Sequence, residues 1–296
     1  MRNWTKIAVT ALALVATEPA WAANCATVSF SPTAPAIPTW DPINGAQVQT
    51  TFTATVGSLT PGANRYRIIF LDNDSASPIR IGSGTTNPQY SIRIGGTDYA
   101  FPSTGTTAGN GIDNTAGTLT FTLAVPANTA ARDYLGGTTY SEALRYTIEC
   151  YNNGGSKGVD SLQSAVTLSL TIPKIVSITT ASPQTIDFGS FTTTSQNLNV
   201  GLKSTSSVNV AVSTAKGGQM VLAGAVSPYP PNSVIPYTMT LNGVSVANGT
   251  NLTNQTRAGV AGATWPLVLT LTGGLPTGKI AGGYSDTITL TLTPGA

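Results

Sequence analysis

The chain has 296 residues, with 14 Lys and Arg against 12 Asp and Glu, two cysteines and no histidine. Charged residues make up 9% of it, against roughly 25% in an ordinary soluble protein. The missing imidazole excludes Ser-His and Cys-His nucleophiles and His-ligated metal sites, and a net charge of +2 leaves no electrostatic footprint for nucleic acid. No cofactor and no enzymatic activity are expected.

Residues 1–22 read as a secretory signal peptide. Arg2 and Lys6 supply the positive start, Ile7 to Val15 is an apolar run too short to span a bilayer, and Ala20-Trp21-Ala22 is a cleavage signal. Cleavage removes Arg2, Lys6 and Glu18, which leaves 12 basic and 11 acidic residues. Export places the chain in an oxidising compartment, so Cys25 and Cys150 are expected to form a disulfide.

The mature sequence alternates apolar and polar residues in short runs, the pattern of half-buried strands. Strands are predicted over 47–56, 65–71, 90–94, 119–123, 144–151 and 166–172. A second set is predicted over 175–179, 185–188, 208–212, 237–241, 267–271 and 287–293. Asn-Gly pairs beginning at Asn44, Asn110, Asn153, Asn242 and Asn248 signal tight turns. Many short strands with such turns mean an all-β sandwich or barrel, and the expected fold class is all-β, as two immunoglobulin-like β-sandwiches. Pro173 marks the boundary, because proline cannot donate to a ladder. The expected domains are 23–172 and 173–296.

The two sets echo one another. Leu119 to Pro126 is followed by Gly136-Gly137, then Tyr140-Ser141-Glu142 and a long strand. Leu267 to Pro276 is followed by Gly282-Gly283, then Tyr284-Ser285-Asp286 and a long strand. After its echo strand the first set continues into another strand at 164–172, whereas the second reaches Ala296. The expectation is a second sandwich lacking its last strand, with a hydrophobic groove and unpaired edges. Such an edge takes a strand from another polypeptide by β-augmentation.

Three patches of the second domain carry a family resemblance: Ile186-Asp187-Phe188-Gly189-Ser190-Phe191, Ile235 to Leu241 around Tyr237, and Gly282-Gly283-Tyr284-Ser285-Asp286-Thr287 with the strand that follows. Together they resemble the spore coat U-like pilins of archaic chaperone–usher pili, and the two-domain order is similar to that of their tip adhesins. The resemblance implies export to the cell surface, at the pilus tip. It implies a periplasmic chaperone, an outer-membrane usher and a neighbouring subunit that donates a strand as partners, and attachment to abiotic or host surfaces with biofilm formation. On that basis Phe188, Gly189, Tyr237, Gly283, Tyr284 and Asp286 are motif residues, and Ile288, Leu290 and Leu292 form the edge that meets chaperone or donor. The second domain departs from the family in having no cysteine. Only Ala23 and Asn24 precede Cys25 after cleavage, so no donor extension is expected, which favours the tip over a coat or shaft subunit.

Surface contact is assigned to loops of the first domain. The longest irregular stretch runs from Gly96 to Gly117 and carries Tyr99 and Phe101, read either as an apolar contact or as a plug tucked onto the sandwich. Trp40 and Tyr151 are further aromatic candidates, with core packing the competing reading for Trp40. A lectin-like site is the alternative: Asp98 beside Tyr99, or Asn152 and Asn153 beside Tyr151, bonding sugar hydroxyls. Asp72-Asn73-Asp74 begins like a calcium loop but lacks the Gly and Glu that complete one. Asp187 and Asp286 are expected to bond backbone rather than to act as a catalytic pair.

Overall fold

The structure, a computed structural model, describes residues 25–71, 79–82, 84, 86–99, 112–114, 117–152, 155–159 and 163–296. The signal sequence, the Asp72 segment, Phe101, Asn110 and Asn153 lie outside the described residues. What is described is all-β, with a single-turn 3-10 segment at Pro231–Ser233. No helix among the described residues is long and apolar enough to cross a membrane.

The first half contains β1 (Ala26–Ser31), β2 (Val48–Leu59), β3 (Arg65–Leu71), β4 (Ser91–Ile94), β5 (Thr97–Tyr99), β6 (Ile112–Asn114), β7 (Gly117–Val125), β8 (Thr139–Asn152), β9 (Gly155–Val159) and β10 (Gln163–Thr171). They form two antiparallel sheets, ordered β1-β2-β7-β4-β5 and β10-β8-β3-β6, with β9 added to β8. Alternation decides which side chains face inward. Tyr66, Ile68 and Phe70 of β3 are fully buried, as are Phe52 of β2 and Phe121 of β7. Phe52 stacks on Phe121 at 5.1 Å between centroids, and Phe70 meets Phe121 edge-on at 5.0 Å. Phe52 and Phe121 are cross-strand partners in one sheet and Phe70 comes from the other, so the aromatic cluster bonds the two layers. The Cys25–Cys150 disulfide, with Cα atoms 5.5 Å apart, clips the residue before β1 to β8. Its sequence separation of 125 gives about 4–5 kcal/mol in the chain-entropy picture.

The second half contains β11 (Val176–Ile178), β12 (Ser195–Ser204), β13 (Val208–Thr214), β14 (Gln219–Leu222), β15 (Val234–Leu241), β16 (Val244–Val246), β17 (Asn251–Gln255), β18 (Gly259–Leu271), β19 (Tyr284–Ser285) and β20 (Ile288–Pro294). One sheet runs β11-β12-β18-β15-β14-β19 with β16 on β15; the other runs β17-β13-β20. Leu202, Val210, Met239, Leu241, Trp265 and Leu267 build a separate core. Asn242 and Gly243, both at positive φ, make the two-residue turn from β15 to β16 that the Asn-Gly pair predicts. No ladder among the described residues joins the two halves.

The strand orders correspond. β1-β2-β7-β4 matches β11-β12-β18-β15, and β8-β3-β6 matches β20-β13-β17. The echoed sequence segments are β7 with β8 and β18 with β20. The position that β10 fills beside β8 has no counterpart beside β20 among the described residues.

Two expectations are corrected. Residues 185–188 are not a strand. There the Asp187 carboxylate accepts the Gly189 N–H at 2.7 Å, and Gly189 and Phe191 take positive φ. A side chain that captures a nearby amide competes with a ladder, and a turn results. The Gly96–Gly117 stretch is not irregular at its ends, since 97–99 and 112–114 are strands.

Candidate functional site

β20 pairs along its whole length with β13, from Thr214 opposite Ile288 to Val208 opposite Pro294. Its other edge carries no ladder partner among the described residues. β11 approaches that open side without pairing to it. Ile288, Leu290 and Leu292 point toward the core and pack against it, yet each is only half-buried. The inward residues of the adjacent β13, Val208, Val210 and Val212, are fully buried. The first half shows what closure does. Leu144, Tyr146 and Ile148 of β8 are buried there, and Val166, Leu168 and Leu170 of β10 are buried beside them. The gap between β11 and β20 is thus apolar along its floor and lined by unpaired backbone along its rim, a combination suited to an extended peptide.

The entry to β20 is held by side chains converging from three separate sequence patches. Asp286 accepts the Lys216 N–H at 2.9 Å and the Thr287 N–H at 2.7 Å through one oxygen, and the Tyr237 hydroxyl at 2.7 Å through the other. Burial first, then the hydrogen bond and charge of Asp286, push the Tyr237 phenol well above its usual range. The Tyr284 hydroxyl donates toward the carbonyls of Ile280 and Asn232 at 2.7 and 3.1 Å. Its ring meets Phe191 edge-on at 6.3 Å, and Phe191 stacks on Phe188 at 6.3 Å. Gly283 accepts the Ala223 N–H through its carbonyl. Both aspartates, Asp187 and Asp286, therefore bond backbone.

The aromatic candidates of the first half fare differently. Trp40 is 2% exposed and packs edge-on against Tyr134 at 5.3 Å. It is a core residue and not a contact residue, because an indole gains more from burial than a loop position returns. Tyr99 sits in β5, opposite Ile92 of β4, and not in a loop; its side chain lies outside what is described. Asp98 is engaged by Arg93 at 2.5 Å, which holds its carboxyl below the usual range. Tyr151 is half-buried near the end of β8, with the guanidinium carbons of Arg65 and Arg67 at 5.2 and 5.7 Å from its ring centroid.

A joint between the halves escapes sequence reading. Arg257 donates to both oxygens of Asp133, at 2.6 and 2.5 Å, and to the Tyr134 carbonyl. Asp133 also accepts the Val260 N–H at 3.0 Å. Gly136 donates to the Thr205 carbonyl at 2.7 Å, where an added Cβ meets Thr205, Lys174 and Pro173 at 3.0 Å or less. Thr205, fully buried, donates through its hydroxyl to Pro173 and accepts the Ile175 N–H.

No protein-family model matches the chain, and no curated protein matches it. Among solved structures it is similar to the chaperone–tip adhesion subunit pre-assembly complex CsuC–CsuE from archaic chaperone–usher Csu pili of Acinetobacter baumannii, at 14% identity and a TM-score of 0.46. That match covers 90% of this chain and 99% of the other. It is also similar to AggA, the major subunit of aggregative adherence fimbriae type I of Escherichia coli, at 12% identity and a TM-score of 0.26, over 50% of this chain and 93% of that one. A third similarity is to the partial N-terminal region of an enterococcal surface protein, at 13% identity and a TM-score of 0.22, over 87% of each chain.

Proposed function

We propose that this chain is a chaperone–usher pilus subunit at the fibre tip. Residues 1–22 direct export, 23–172 form the adhesin domain, and 173–296 form a pilin domain that joins the fibre by accepting a strand. The observation that carries the reading is the open edge of β20 with half-buried Ile288, Leu290 and Leu292, set against the closed edge of β8. A periplasmic chaperone fills the gap first, and a strand of the next subunit replaces it after passage through an outer-membrane usher. With cleavage after Ala22, the disulfide at Cys25 ties down the mature N-terminus. The terminal position leaves the first domain's loops free to attach cells to a surface and start a biofilm.

The test is co-expression of the full chain with the chaperone and usher of its own operon. Wild type is expected to co-purify with the chaperone and to reach the cell surface. Leu290→Asp, which places a charge on the groove floor, is expected to do neither. Surface display of the Leu290→Asp chain at wild-type level overturns the proposal.

A further inference from the structure

The outer face of β3 and β8 carries two arginines at the end away from the joint, and Arg67 has Glu149 opposite it in β8 and Asp113 opposite it in β6. Arg65 lies opposite Tyr151 in the ladder and Arg67 lies opposite Glu149, so all four share one face of the sheet. Arg67 has a counter-charge in Glu149, at 3.7 Å. Arg65 has no ion pair among the described residues; its guanidinium rests on the Tyr151 ring, and its buried Nε has no hydrogen-bond partner. Both side chains are half-buried, which leaves part of each in reach of solvent. An arginine laid on an aromatic ring is pre-organised, so little rotamer entropy is lost when its remaining N–H groups bind a planar anion. The position matters equally. Thr139, at the other end of β8, adjoins Gly136 and Gly137 at the joint. Tyr151 lies twelve residues further along, about 40 Å at ~3.4 Å per residue.

We infer that Arg65 and Tyr151 form a subsite for an acidic saccharide, the guanidinium binding its carboxylate or sulfate and the exposed part of the tyrosine packing on the sugar ring. The subsite depends only on the first half, so its test is independent of strand acceptance.

The experiment measures binding of the full mature chain to immobilised polygalacturonate, dextran sulfate and neutral dextran at low and moderate salt. Binding to one or both acidic polymers and not to dextran is expected, weakening as salt rises. A preference between the two acidic polymers assigns the group as carboxylate or sulfate. Arg65→Gln is expected to lose about tenfold in affinity, the scale of one charge-assisted hydrogen bond, with an unchanged melting temperature. Soluble galacturonate, but not galactose, is expected to compete with polygalacturonate for the wild-type chain, a readout that needs no variant. Equal affinity of wild type and Arg65→Gln for the acidic polymers, or no binding of wild type to either, overturns the inference.

Discussion

The strands β8 and β20 occupy the same place in two versions of one plan, and they differ in what lies beside them. β8 has β3 on one side and β10 on the other, is clipped to the start of β1 by the disulfide, and buries every inward residue from Leu144 to Cys150. β20 has β13 alone, has no covalent clip, and leaves its inward residues half-buried. A sandwich of this type owes its closure to one strand. The half with that strand covers its inward residues, and the half without it leaves an apolar floor and a backbone edge without a ladder partner among the described residues.

Breaking the disulfide is the largest stability effect expected on the closed side. Cys25→Ala with Cys150→Ala should cost about 4–5 kcal/mol, read as a lowered unfolding midpoint of the first half, with the second half's transition unmoved. Cutting the inter-sheet aromatic cluster with Phe121→Ala should cost about 3–5 kcal/mol in the same transition, since Phe121 contacts rings of both sheets.

On the open side, Tyr237→Phe removes the hydroxyl that Asp286 accepts. It should cost about 1 kcal/mol, confined to the second half. The same variant has a pH signature. The folded state holds the Tyr237 phenol protonated beyond its ordinary range, while the unfolded chain ionises near the usual value of about 10. Above that pH the folded state binds more protons than the unfolded one, so stability falls as pH rises. Tyr237→Phe should lose this part of the alkaline destabilisation, visible as a shallower drop in unfolding midpoint above about pH 10. An identical alkaline profile for both proteins counts against the Asp286–Tyr237 anchor.

The smallest effect is at the joint. The Asp133–Arg257 pair is partly exposed, and such pairs contribute about 0–1 kcal/mol. Asp133→Asn should barely move the unfolding midpoint. It should broaden the distribution of distances between spin labels placed one in each half.

Much of this contrast is legible in the sequence. Period-2 alternation finds β3 at its observed bounds, 65–71, and finds β13, β15, β18 and β20 within a few residues at one end or more. The repeated Gly-Gly and Tyr-Ser-acid segments align β8 with β20 before any coordinates. β12 is missed, although Leu198, Val200 and Leu202 alternate through it, because Asn197, Asn199 and Gly201 depress the strand signal. Residues 185–188 read as a strand until the Asp187 side chain is seen to bend the chain. Trp40 stands in a proline-flanked loop where contact and core packing are both open readings, because its partner Tyr134 lies far off in sequence. The motif residues around Asp286 are readable as a set, but their convergence is not, since it depends on β14, β15 and β19 lying side by side. The joint and the Arg65–Tyr151 pair leave no sequence pattern, because each depends on register or on contacts between distant loops.

The central claim is that the outer edge of β20 is open in the chain alone and filled by a partner's strand. Amide hydrogen exchange of the full chain, alone and bound to its chaperone, tests this directly. In the chain alone, alternate amides of Ile288–Pro294 should exchange far faster than those of Leu144–Ile148 in β8, and should become protected when the chaperone binds. Equal protection of the two strands in the chain alone, or no change across Ile288–Pro294 on binding, contradicts it.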